Sequence, residues 1–140
     1  MKNIILALLL SLTFSGVSCK GQTEKKQTIF PTSGKDVEVY YFHLTTRCVT
    51  CKTVEAETRK NIEMLYAENV KTGNISFTSL NLEEATGKAM GDKLGVSGQT
   101  LLIVKGDQMI NITNEGFLYA VSKPEKFREI IKEKVDPLMK

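Results

Sequence analysis

The chain predicts an α/β fold, with a central mixed sheet of about four strands and helices on both faces. Three observations carry that expectation. The run Val37-Glu-Val-Tyr-Tyr-Phe42 is rich in β-branched and aromatic residues and almost continuously hydrophobic, as in a strand covered on both faces. Helix-like and strand-like periods then alternate, which implies parallel strands joined by crossovers. Late in the chain, Thr100–Val104 and Met109–Thr113 flank the turn Lys105-Gly106-Asp107-Gln108, a hairpin that adds an antiparallel edge.

Each element follows from its local pattern. Thr45, Thr46, Arg47 and Thr50 surround Cys48 in a polar turn after the first strand. From Cys51 to about residue 70 the composition shifts to Glu, Lys, Arg, Ala and Met. Val54, Thr58, Ile62, Leu65 and Tyr66 fall on one helical stripe, and Gly73-Asn74 supplies the stop. Ile75–Leu82 alternates as a second strand. Glu83–Leu94 reads as a helix with Ala85, Ala89, Met90 and Leu94 inward, weakened by Gly87 and Gly91. The apolar residues Phe117, Leu118, Tyr119 and Val121, beside Gly116, read as core packing rather than a partner surface. The last helix opens near Ser122-Lys-Pro124, with Ser122 as a plausible cap and proline close to the first helical position. It buries Phe127, Ile130, Ile131 and Val135.

Composition sets the limits. With 140 residues the chain holds one domain, and 19 basic against 16 acidic residues give no cluster of Lys or Arg. Nucleic acid is therefore not an expected partner. The N-terminus has its own character. Lys2 supplies a positive charge, Ile4–Phe14 form an apolar run too short to span a bilayer, and Ser15, Gly16 and Ser18 lead to Cys19. This arrangement resembles a bacterial lipobox, with Gly16 where a branched residue is usual. The expectation is a lipoprotein signal peptide over residues 1–18, removed so that acylated Cys19 begins the mature chain. Residues 19–36 are polar apart from Ile29-Phe30 and read as a flexible tether. The folded domain then covers residues 37–140, held at the bacterial cell envelope by its lipid and facing the periplasm.

Acylation of Cys19 leaves Cys48 and Cys51 as a pair among three cysteines. They are spaced to close a small disulfide ring where the first strand passes to the first helix. A thiol at a helix start lies at the positive end of the dipole, and Arg47 and Lys52 add neighbouring positive charge. Such thiols have pKa values lowered to about 3.5–7.5, from about 8.5 when free. By this geometry Cys48 is the more exposed and acts as nucleophile, with Cys51 as the resolving thiol. Two plainer readings stand beside this one. A structural disulfide closing so short a loop constrains little of the unfolded chain. A structural zinc needs four ligands, and His43 is the single histidine.

The run Val39-Tyr-Tyr-Phe-His-Leu-Thr-Thr-Arg-Cys-Val-Thr-Cys-Lys52 resembles the first strand and active-site turn of the thioredoxin superfamily. Leu94-Gly-Val-Ser-Gly-Gln-Thr-Leu-Leu-Ile-Val-Lys-Gly106 is similar to the segment entering that family's third strand and hairpin. The resemblance covers about residues 37–136. Within the superfamily, the pattern around His43, Arg47 and the pair is similar to lipoproteins of the nitrophenyl-compound nitroreductase subunit (ArsF-like) family. The resemblance implies a thioredoxin-like fold and a thiol–disulfide oxidoreductase or redox accessory protein. Its partners would be exported protein thiols or disulfides, with no resident cofactor.

Departures from the family pattern modify those implications. Gln99, before Thr100, stands where the family has a cis-proline, so a trans bond and an altered groove are expected. Tyr41 falls near the family's buried acid, and His43 near its tryptophan. His43, Arg47, Gln99 and Thr100 are therefore candidates for acid–base or orienting roles. A second function is a copper carrier in which Cys48, Cys51 and His43 form a soft three-ligand site. A third is a thioredoxin-like binding module whose disulfide is merely structural.

Overall fold

The computed structural model describes residues 36–140. The expected signal peptide, the acylated Cys19 and the tether with Ile29-Phe30 lie outside the described residues. The elements run β1 (Val37–His43), α1 (Val49–Leu65), α2 (Ala67–Thr72), β2 (Ile75–Asn81), α3 (Ala85–Leu94), β3 (Thr100–Lys105), β4 (Gln108–Asn111), α4 (Thr113–Tyr119) and α5 (Pro124–Val135). A 3-10 turn, Asp136–Met139, follows α5. No helix among the described residues is long and apolar enough to cross a membrane.

The four strands form one sheet in the order β2-β1-β3-β4. β1 pairs parallel with β2, from Val37 opposite Ile75 to His43 opposite Asn81. It pairs antiparallel with β3, from Glu38 opposite Val104 to Phe42 opposite Thr100, and β3 continues antiparallel to β4. β1 is thus central, which explains why its sequence shows little alternation. Val37, Val39 and Tyr41 enter one core with Val54, Ile62, Leu101, Ile103, Phe127 and Ile131. Tyr40 and Phe42 enter a second with Leu80, Met90, Leu102 and Val104. The first lies under α1, α4 and α5, the second under α3, so helices cover both faces of a mixed sheet.

The predicted stripe of the first helix is buried at Val54, Thr58, Ile62 and Tyr66. That helix is interrupted rather than continuous to residue 70. Tyr66 leaves helical geometry (φ −127°, ψ 35°) between α1 and α2, and its hydroxyl donates to Asp136 Oδ1 at 2.7 Å. The chain bends where that side chain is pinned to the far end of the domain. Gly73 then closes α2 in the left-handed conformation, at φ 80°.

Three expectations are corrected. In α3 the buried positions are Gly87, Met90 and Gly91, whereas Ala85 and Ala89 are exposed. The glycines that weaken the helical pattern are its contact face, because α3 lies directly against the end of β2. β4 stops at Asn111 instead of running to Thr113, and α4 begins at Thr113. Asn111 Oδ1 accepts from the Thr113 amide at 3.0 Å, turning the chain. Gly116 then lets α4 settle against Val54 and Leu101. Phe117 and Tyr119 pack on the core, but Leu118 and Val121 are exposed. Finally, Ser122 does not cap α5. Lys123 occupies that position, and the Ser122 hydroxyl donates back to the Leu118 carbonyl.

A methyl group on Gly87 would land on the Asn81 carbonyl. Helix propensity alone favours alanine over glycine by about 1 kcal/mol, whereas overpacking costs about 1–3 kcal/mol. Gly87→Ala is therefore expected to destabilise the domain by at least about 1 kcal/mol, measured by urea denaturation. A gain in stability would show that this contact is not tight.

Candidate functional site

The site is built where β1 ends and α1 begins. Residues 44–47 carry the chain out of the sheet, and Cys48 is the N-cap of α1, with extended backbone at φ −75° and ψ 166°. A cap residue offers its side chain to an amide of the first turn that has no carbonyl partner. Here that side chain ends in sulfur: Cys48 Sγ accepts from the Cys51 amide at 3.1 Å. No acidic residue lies in the first turn of α1 to compete for the same positive end. A thiolate in this position gains a charge-assisted hydrogen bond in addition to the field of the helix.

Cys48 and Cys51 form a disulfide, with Cα atoms 5.1 Å apart. Their exposures differ sharply. Cys48 is exposed and followed by Val49, which is 81% exposed, whereas Cys51 is 5% exposed. An incoming sulfur can therefore reach Cys48 from solvent while Cys51 stays covered. The cover comes partly from β1: the buried Tyr41 hydroxyl donates to the Cys51 carbonyl at 2.9 Å. Gln99 also approaches the pair, its Oε1 3.7 Å from Cys51 Sγ. No peptide bond among the described residues is cis, so the segment before β3 carries an amide side chain toward the pair instead of a proline ring. Thr100 points elsewhere, donating from Oγ1 to the Gly98 carbonyl at 3.0 Å.

Arg47 is engaged away from the role of free cation. Its guanidinium forms an ion pair with Glu55 and sits 5.6 Å from the centre of the Tyr41 ring. Glu55 also meets Arg59, at 3.5 Å. Burial pushes the Glu55 carboxyl up, but hydrogen bonds with Arg47 and Ser79 and the charge of Arg47, with a smaller contribution from His43, outweigh it and hold the group below its ordinary range. Burial also pushes the Tyr41 phenol up, against the opposing charge of Arg47. His43 is half-buried, with Nδ1 2.9 Å from the Leu44 carbonyl and its ring 6.1 Å from that of Tyr41. Among the described residues, no group of three His, Cys, Asp or Glu side chains is arranged to hold a metal ion.

Sequence reasoning passed over two parts of this region. Glu55 is one helical turn beyond Cys51, and its i,i+4 relation to Arg59 was legible. Its pairing with Arg47, across the helix start, was not. The other part is a clasp on the loop before Cys48. The Thr45 amide donates to Glu83 Oε2 at 2.7 Å, and Asn81 Nδ2 donates to Thr45 Oγ1 at 2.9 Å. These bonds join residues far apart in the chain, so no local pattern announces them. They fix the loop that delivers Cys48 against the end of β2.

A Cys-x-x-Cys pair opening the crossover helix of a βαβ unit is the thioredoxin arrangement, and β1, α1 and β2 are that unit. The fold is thioredoxin-like. No protein-family model matches the chain, and no curated protein matches it. Among solved structures, one titled as the structure of a malarial protein is 20% identical, with a TM-score of 0.47, covering 70% of this chain and 96% of its own. Thioredoxin from Trypanosoma brucei brucei is 23% identical, with a TM-score of 0.39, covering 70% of this chain and 77% of its own.

The depressed acidity of Glu55 sets a pH window. Its folded pKa lies below the ordinary value of 4.5. The stability it contributes is therefore complete above that value and lost as pH falls through the folded pKa. Glu55→Gln should be less stable than the natural protein near neutrality, with the gap narrowing as pH falls below 4.5 and through the folded pKa. Denaturation midpoints across that range test this, and a gap independent of pH would overturn it.

Proposed function

We propose that this domain is a thiol–disulfide oxidoreductase acting on exported proteins, tethered to a membrane through acylated Cys19. The observation that carries the reading is the Cys48 sulfur, exposed at the N-cap of α1 and bonded to the covered sulfur of Cys51. In the reduced protein, the Cys48 thiolate attacks one sulfur of a partner disulfide. A mixed disulfide forms and the partner's other sulfur leaves as a thiolate. Cys51, as thiolate, then attacks Cys48 Sγ, closing the intramolecular disulfide and releasing the partner's remaining sulfur. Two electrons pass to the partner and two protons follow from the medium. Run backward, the same steps oxidise a partner dithiol. Their direction in the cell is set by the reduction potential against the partner's.

Exposure assigns the roles: Cys48 can be approached, whereas Cys51 meets only a sulfur already attached to Cys48. Gln99 and Val49 border that approach, an amide and an apolar surface for a partner's backbone and side chains. Support for the location comes from the charged start, the apolar run of Ile4–Phe14 and the small residues before Cys19.

Cys51→Ser should accumulate mixed disulfides with envelope proteins through Cys48, seen as reducible high-mass bands on a non-reducing gel and absent from Cys48→Ser. Failure to trap partners, together with no redox equilibrium with glutathione, would reduce the pair to a structural bond in a binding module. For the tether, Cys19→Ala is expected to move the protein from the membrane fraction to the soluble one. Retention at the membrane would refute anchoring through that residue.

A further inference from the structure

The cation nearest to Cys48 in sequence is fastened to an acid. Arg47 pairs with Glu55, its guanidinium lies over the Tyr41 ring, and both side chains are largely buried, at 16% and 18% exposure. Arg47 Nε, itself buried, has no hydrogen-bond partner, so the guanidinium keeps a donor unspent. Other groups face the pair from every side. Arg59 reaches Glu55 from the next turn of α1, Ser79 on β2 and His43 at the end of β1 lie beside it, and the Tyr41 hydroxyl joins the same cluster to the Cys51 carbonyl. Arg47 adjoins Cys48 in the chain, and a charge near a protein surface is screened less than one in bulk water.

We infer that Glu55 is a positioning residue which, by holding Arg47, limits the positive charge acting on the Cys48 sulfur and so sets the reduction potential of the Cys48–Cys51 pair. This rests on the oxidoreductase reading above. Oxidised, the pair carries no charge and is indifferent to Arg47. Reduced, Cys48 holds negative charge beside the amides of α1 and responds to every uncompensated neighbour. A neutral residue in place of Glu55 frees Arg47 to stabilise the thiolate. The reduced form then becomes more favourable and the protein more oxidising. Removing Arg47 while keeping Glu55 has the opposite sign, because the carboxylate, left with the more exposed Arg59 as its cation, opposes the thiolate. Removing both charges returns the site close to its starting balance. A merely structural pair predicts no such alternation.

The test is the exchange of one protein disulfide and two glutathione thiols for the protein dithiol and one glutathione disulfide. It is measured at equilibrium for the natural protein, Glu55→Gln, Arg47→Gln and the double variant. Glu55→Gln should raise the equilibrium constant for reduction about tenfold, near 30 mV for a two-electron couple. Arg47→Gln should lower it by a similar factor, and the double variant should lie within about threefold of the natural protein. The pH dependence of Cys48 alkylation provides a second readout, shifting to lower pH in Glu55→Gln and to higher pH in Arg47→Gln. Circular dichroism and unfolding midpoints identify any variant that fails to fold, and the isosteric Glu55→Gln alone then decides the sign. If the natural pair exchanges with glutathione while the folded variants share its potential, the inference is overturned and the oxidoreductase reading stands. If the natural pair does not exchange at all, both fall.

Discussion

An amide hydrogen at the first turn of a helix has no carbonyl within the helix to accept it. In this domain the Cys51 amide finds the sulfur of Cys48, 3.1 Å away. The bond does two things together. It caps α1, which lacks a Ser, Thr, Asp or Asn at this position, and it places the sulfur where negative charge is most favoured. Stability of the helix start and reactivity of the thiol are one interaction, and the surrounding structure serves to hold it.

The holding is done from beneath and from the side. β1, central in the sheet and covered on both faces, is the most constrained strand, and its end delivers the loop to the helix. Tyr41 on that strand fastens the first turn of α1 through the Cys51 carbonyl, while Asn81 and Glu83 fasten the loop through Thr45. The helix start is thus bonded to β1, and the loop to the end of β2 and the β2–α3 connection. α3 approaches closely enough for this because Gly87 and Gly91 leave backbone surface bare. That frame holds the two sulfurs within bonding reach.

The charged cluster alongside is unlike the simple picture of cations flanking a thiol. Arg47 is tied to Glu55, so what reaches the sulfur is the difference between two opposite charges in a poorly screened place. Lys52, by contrast, is solvent-facing, where a charge is weakened by water and salt. Sequence adjacency overstates the first and says little about the second.

What the sequence determined by itself is whatever depends on period and spacing. The near-continuous run Val37–Phe42 marks a doubly covered strand, the stripe from Val54 to Tyr66 a one-sided helix, and the three-residue step from Cys48 to Cys51 a pair at a helix start. These follow from the geometry of single elements, so neighbouring residues suffice to reveal them. The tertiary structure decided what depends on distant segments meeting. It made Gly87 and Gly91 a contact face, turned Thr113–Tyr119 into a helix against Val54 and Leu101, and bonded Tyr66 to Asp136. It also matched Arg47 with Glu55 and brought Gln99 to the Cys51 sulfur. Each of these is an interaction between chemical groups whose closeness arises when the sheet forms and the helices settle on it, and no local periodicity encodes that closeness.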